Sequence, residues 1–205
     1  NIGVICDVAL DPYTSHAHDG IISNGKVDND KSLKKLVDQA LLLADSGADI
    51  LAPSDMMDGR VGRIRQSLEK KEYHDTMIMS YAAKYSSSLY GPFREAVNAG
   101  KLIEPKNKKS YQMDIANIDE AMHEVAMDIS EGADMIMIKP GLPYLDVISK
   151  AKELFSMPTF AYQVSGEYSM IMSAVEKNHL EELDTILETM LCFKRAGADG
   201  IFTYF

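Results

Sequence analysis

Short, nearly continuous apolar runs alternate with longer amphipathic ones along this chain. The apolar runs fall at 2–7, 50–53, 77–82, 135–138, 159–164 and 200–204, and read as strands buried on both faces. Between them, at 31–46, 60–71, 91–99, 117–131, 143–154, 167–177 and 182–196, apolar residues recur three and four apart, the helical period. Strands separated by amphipathic helices predict a parallel sheet covered by helices, either an open doubly wound sheet or a (β/α)8 barrel. The string Gly-Ala-Asp occurs three times, in "SGADILAPSD", "EGADMIMIKP" and "AGADGIFTYF". Each copy follows a helical pattern and precedes an apolar run, so its glycine suits the left-handed position that ends a helix.

The strand ends choose between the two architectures. The six strands run into Asp7, then Ser54 and Asp55, then Lys84, Lys139, Ser165 and Tyr204. In a barrel the carboxyl ends converge on one mouth, whereas an open sheet spreads them along an edge. Convergence accounts for all six, so the barrel is preferred. A barrel needs eight strands and typically about 250 residues. The six seen here, with no cap at either end, read as a single partial barrel domain over 1–205 that lacks its first two units and last helix. Such a piece would leave sheet edges unpaired, and is expected not to be stably folded and active alone.

Composition narrows the function classes. At 46% apolar and 25% charged the chain is ordinary globular protein, with no apolar run near the length of a membrane span. A formal net charge of −10 argues against a nucleic-acid surface. The cysteines, Cys6 and Cys192, form neither a disulfide framework nor a zinc site, and suit a reducing compartment.

Lysines at strand ends carry the chemistry. Polar strand ends are common where a chain reaches water, and that covers Asp7 or Ser54. Lys84 in "SYAAKYSSSLYGP" and Lys139 in "IMIKPG" have apolar or small neighbours instead. Two ammonium groups brought together, partly desolvated, disfavour each other's charge, so one or both pKa values fall. A neutral lysine attacks ketones and aldehydes to form a Schiff base. Arg94, in "GPFREA", can clamp a carboxylate through its fork of donors. Lys106, Lys108 and Lys109 form a basic stretch that reads either as a lid or as a solvated loop.

The segments "CDVALDPYTSHAHDG", "APSDMMDGRVGRIR", "YAAKYSSSLYGPFREA", "KKSYQMD", "IKPGLPYLD", "YQVSGEYSM" and "KRAGADGIFTYF" together resemble the porphobilinogen synthase (5-aminolevulinate dehydratase) family. The resemblance runs from Asp7 to Phe205 and implies a (β/α)8 barrel that condenses two 5-aminolevulinate molecules to porphobilinogen, in tetrapyrrole and haem synthesis. It implies that Lys139 holds the first substrate as a Schiff base and Lys84 the second. It assigns the first substrate's carboxylate to Ser165 and Tyr204, and the second's to Arg94, Lys108 and Gln112. Asp7 and Asp55 become the acid–base and amine-orienting carboxylates, with Tyr90 and Phe93 in the pocket wall and lid hinge. A homo-octamer in plastid or cytoplasm is the family's pattern. A class I aldolase-type lyase would need one essential lysine rather than two, and an inactive barrel kept for assembly would not retain these positions filled.

Zinc-dependent relatives carry three cysteines where this chain has Ala9, Asp11 and Asp19, so the resemblance is to the magnesium-type variant and no active-site zinc is expected. Asp11 and Asp19 either bind a cation or only hydrogen-bond. His16 and His18 form a pair without a third ligand. On the helix over 117–131, Glu120, Glu124 and Asp128 share one face, where like charges repel by about 0.2–0.5 kcal/mol per pair unless a cation answers them. The face reads either as solvated or as a cation site. The resemblance places an allosteric Mg²⁺ at Glu124.

Overall fold

The computed structural model describes residues 2–96 and 107–205. Six strands form one parallel sheet: β1 (Ile5–Val8), β4 (Ile50–Pro53), β5 (Met77–Lys84), β6 (Met135–Lys139), β7 (Thr159–Tyr162) and β8 (Gly200–Phe202). They lie side by side in chain order, β1-β4-β5-β6-β7-β8. A doubly wound sheet reverses its order at a switch point. The unbroken order here is that of a barrel wall, and the sheet is the curled part of a (β/α)8 barrel. An antiparallel pair that the apolar pattern did not predict, β2 (Ile21–Ser23) and β3 (Lys26–Asp28), lies between β1 and the first helix. It is too short to show a period. Ile2 and Val4, expected in the first strand, are exposed beside the sheet edge.

Among the described residues seven α-helices connect the strands: α1 (Asn29–Asp45), α2 (Arg60–Lys70), α3 (Gly91–Ala96), α4 (Ile118–Ser130), α5 (Leu145–Phe155), α6 (Ser165–Glu176) and α7 (Glu182–Ala196). The sheet separates two kinds of core. Toward the helices lie Leu36, Leu51, Ile64 and Ile78 in one cluster, and Val125, Ile136, Ile138 and Phe193 in another. Each such fully buried side chain contributes about 1.5–3 kcal/mol. The other face, the barrel interior, holds Ala52, Met79, Tyr81 and Met137, with Phe160, Tyr162 and Phe202 packed against them. The end of the helix expected over 91–99 lies outside the described residues, as does Lys106.

The three Gly-Ala-Asp copies act as one device. Gly47, Gly132 and Gly197 take φ of +93°, +106° and +104°, closing α1, α4 and α7 in the left-handed region. The aspartate two residues on then reaches the neighbouring strand. Asp49 accepts from the Val4 N–H at 2.7 Å, Asp134 from Ile78 at 2.7 Å, and Asp199 from Thr159 at 2.8 Å. Each carboxylate satisfies a backbone donor at the start of the strand beside it.

Candidate active site

Strand alternation decides which side chains enter the barrel. Met135, Met137 and Lys139 share a face of β6, so the period that buries two methionines in the interior delivers the lysine at its mouth. Lys84 does not follow from that rule. Met79 and Tyr81 face the interior, and strict alternation would turn Lys84 toward the helices. The pairing of β5 with β6 slips by one residue between Ser80 and Ala83, after which Ala83 stands opposite Ile138 and Lys84 opposite Lys139. This bulge re-aims the second lysine into the mouth beside the first. The sequence offers only the small pair Ala82-Ala83 as a hint of it.

Two adjoining cavities open at these strand ends. One, of about 110 Å³, is lined by Lys84, Arg94, Lys108 and Gln112, together with Asp11. The other, of about 130 Å³, is lined by Tyr81, Tyr162, Ser165 and Tyr204. Asp7, Tyr90, Phe93 and Lys139 line both. The Phe93 N–H donates to Ser165 Oγ at 3.1 Å, and the Tyr90 hydroxyl donates to the Lys139 carbonyl at 3.2 Å. The Arg94 guanidinium lies 5.4 Å from the Tyr90 ring centre. Thus residues singled out in six separate stretches of sequence meet at one place.

The two lysines differ in the direction of their pKa shift. Burial and then the Lys84 charge lower the Lys139 pKa to about 8, against the pull of Asp7. Burial also penalises the Lys84 ammonium, but Asp19, and after it Asp11 and Asp7, outweigh the penalty and raise its pKa. Of the two outcomes expected for a lysine pair, one pKa falls and the other does not. Asp19 causes the difference. It is buried, 3.5 Å from Lys84 Nζ and 3.0 Å from Lys108 Nζ. Burial favours its neutral form, yet the two lysines leave its carboxyl below the usual range. Lys108 also reaches Asp11 at 3.4 Å. Asp19 is thus an ion-pair partner, with one oxygen facing each ammonium group. Lys84 also donates to the Ser54 carbonyl.

Asp7 is raised by burial, against the opposing charges of Lys139 and Lys84. Asp55 lines neither cavity, though its charge acts on Lys84. It is fully buried, accepts from the Met57 N–H at 2.8 Å, and faces Arg60 Nε at 3.8 Å. Burial lifts its pKa to about 6, against Arg60. Arg60, which drew no attention in sequence, is 2% exposed and forks onto Asp128, both contacts being 3.2 Å. It also donates to Ser80 Oγ and the Tyr81 carbonyl. Asp128 therefore leaves the acidic face imagined for α4: its oxygens are taken up by Arg60 and Ser80. Glu124 stays half-buried at a cavity of about 670 Å³, beside Asp58 and Glu120. Burial and then Asp128 raise its pKa. His18 Nδ1 is paired with the Tyr111 hydroxyl at 2.9 Å, and among the described residues no cluster of three or more His, Cys, Asp or Glu is placed to hold a metal.

Parallel barrel strands that bring two lysines and a buried aspartate to one mouth define the class: part of a (β/α)8 barrel with an amine-lined pocket at its strand ends. Comparison makes the assignment narrower. The profile of the delta-aminolevulinic acid dehydratase family matches residues 1–205, and the chain belongs to that family. A delta-aminolevulinic acid dehydratase of Bradyrhizobium diazoefficiens is 57% identical over 204 residues, covering 100% of this chain and 58% of the relative. A chloroplastic one from Chlamydomonas reinhardtii is 50% identical, covering 100% of this chain and 54% of that protein. The crystal structure of the Toxoplasma gondii enzyme, in complex with its reaction product porphobilinogen, superposes with a TM-score of 0.96 at 51% identity. It covers 99% of this chain and 58% of that one. The chain spans somewhat over half the length of these relatives.

Proposed function

We propose that the protein containing this chain condenses two molecules of 5-aminolevulinate to porphobilinogen. The observation that carries this reading is the pair of cavities meeting at Lys139 and Asp7, each with its own set of carboxylate-binding groups. Lys139, the amine of lower pKa, attacks the ketone of the first substrate, whose carboxylate is held by Ser165 and Tyr204. Lys84 binds the second substrate, whose carboxylate is held by Arg94, Lys108 and Gln112. Asp7, shared by both cavities, is placed to pass protons between them. Asp55 acts on Lys84 through its charge.

Magnesium is the metal that the donors fit. Glu124 is one half-buried carboxylate at a roomy cavity, and Mg²⁺ is usually held by one or two carboxylates with several waters. A cation there would offset the repulsion among Glu124, Asp128 and Asp58 that acts on the Glu124 carboxyl. Where zinc-type relatives have thiolates, Asp11 and Asp19 offer oxygens already engaged by lysines, which does not fit Zn²⁺. The proposal extends to a homo-octamer in plastid or cytoplasm. No helix among the described residues is long and apolar enough to cross a membrane.

The test is turnover by the full-length protein. Two 5-aminolevulinate molecules should be consumed per porphobilinogen formed, and Lys139→Met or Lys84→Met should abolish it. Full product formation by Lys139→Met would refute the assignment.

A further inference from the structure

Lys139 Nζ lies among three tyrosine rings: 4.1 Å from the centre of Tyr162, 5.2 Å from Tyr81 and 5.8 Å from Tyr90. All are within the roughly 6 Å at which a cation is attracted to an aromatic face. The Tyr162 ring is fixed from behind, stacked on Phe202 at 5.8 Å and tilted against Tyr204 at 6.3 Å. Among the described residues no carboxylate forms an ion pair with Lys139; Asp7 acts on it through space, and Lys84 against it. This is an odd environment for an ammonium and a suitable one for a reacting amine. Imine formation starts from neutral R–NH₂ and ends in a cation. The nitrogen lone pair forms the N–C bond, the carbonyl electrons move to oxygen, and amine, ketone and one proton become the protonated imine and water. A carboxylate in contact would stabilise the starting ammonium as much as the imine, and would keep the amine from attacking. A ring face favours the weakly hydrated, delocalised imine over the strongly hydrated ammonium.

We propose that the face of Tyr162 is a catalytic group, holding the protonated imine on Lys139 by cation–π attraction while Tyr81 and Tyr90 close the other sides. This rests on the Schiff-base reading above. It assigns the ring, not the hydroxyl, as the working part of Tyr162. The hydroxyl is accounted for separately, by its hydrogen bond with Tyr204.

The test replaces Tyr162 in the full-length protein with Phe and with Phe bearing one, two and three ring fluorines. Fluorine empties the ring face of electron density and scarcely changes its shape. The rate of borohydride-trapped adduct formation at Lys139 is read with 5-aminolevulinate above pH 9, where the amine starts neutral in every variant. Tyr162→Phe, which lacks the hydroxyl as the fluorinated variants do, sets the reference rate. Each added fluorine should lower it, to roughly tenfold below Phe at three, and Tyr162→Leu should lose roughly thirtyfold, or about 2 kcal/mol. A flat rate across the fluorinated series, with the unmodified protein trapping normally, would overturn the ring's role and leave the Schiff base standing. No adduct on Lys139 in the unmodified protein would overturn both.

Discussion

At the scale of single residues, the site turns on how one buried carboxylate divides two lysines. Lys139 has no ion-pair partner among the described residues and is depressed to about pKa 8, so about a tenth of it is neutral at pH 7. The rate of imine formation at Lys139 should rise about tenfold per pH unit below 8 and level off above it, read by trapping across pH 6–10. A profile still rising steeply at pH 10 would mean an ordinary lysine. Asp19 belongs to the same balance. In Asp19→Asn, Lys84 and Lys108 lose their shared counter-charge while staying buried. Stability to urea should drop by about 3–5 kcal/mol, and the Lys84 pKa should fall. A change under about 1 kcal/mol would show that the pair is solvated in practice. The fall of one lysine pKa was legible in sequence, but the part Asp19 plays was not, because it lies far along the chain from both its partners. Its segment shows only that the zinc-type cysteines are replaced.

Among elements, periodicity told most. Among the described residues the six parallel strands and seven helices were legible from the alternation of short apolar runs with longer helical patterns, length separating the two. What escaped was local. The bulge in β5 turns on two small residues, and the β2–β3 hairpin has strands too short to announce themselves. The Gly-Ala-Asp copies were legible as helix ends, while the bond from each aspartate back to the preceding strand required the sheet order. The junction of α6 with the Ser88–Tyr90 turn is equally hidden. A Cβ on Gly166 would lie 2.4 Å from the Leu89 carbonyl oxygen and 2.7 Å from its Cα, and backbone cannot yield as a side chain can. Gly166→Ala should push the start of α6 away, break the Phe93–Ser165 contact, and cost about 1–3 kcal/mol in urea unfolding. An unchanged midpoint would show that the two elements slide freely.

For the whole molecule, the barrel order is what turns strand ends into a site. Lys84, Lys139, Ser165 and Tyr204 belong to four successive strands or the turns just past them, and only curling of the sheet lets them line two cavities with one shared wall. That convergence was readable, since every apolar run ended in a polar residue. The burial of Asp55 against Arg60 was not: alternation tells which face a residue takes, but says nothing of its partners past the strand end. Its partner Arg60 sits at the head of α2 and completes a buried network with Asp128 of α4 that no sequence pattern marks. The most direct test treats the full-length protein with 5-aminolevulinate and borohydride, digests it, and locates the added mass. A stable adduct on the peptide carrying Lys139 is the result expected. Absence of any adduct on Lys139 or Lys84, with 5-aminolevulinate shown separately to bind, would contradict the proposed chemistry.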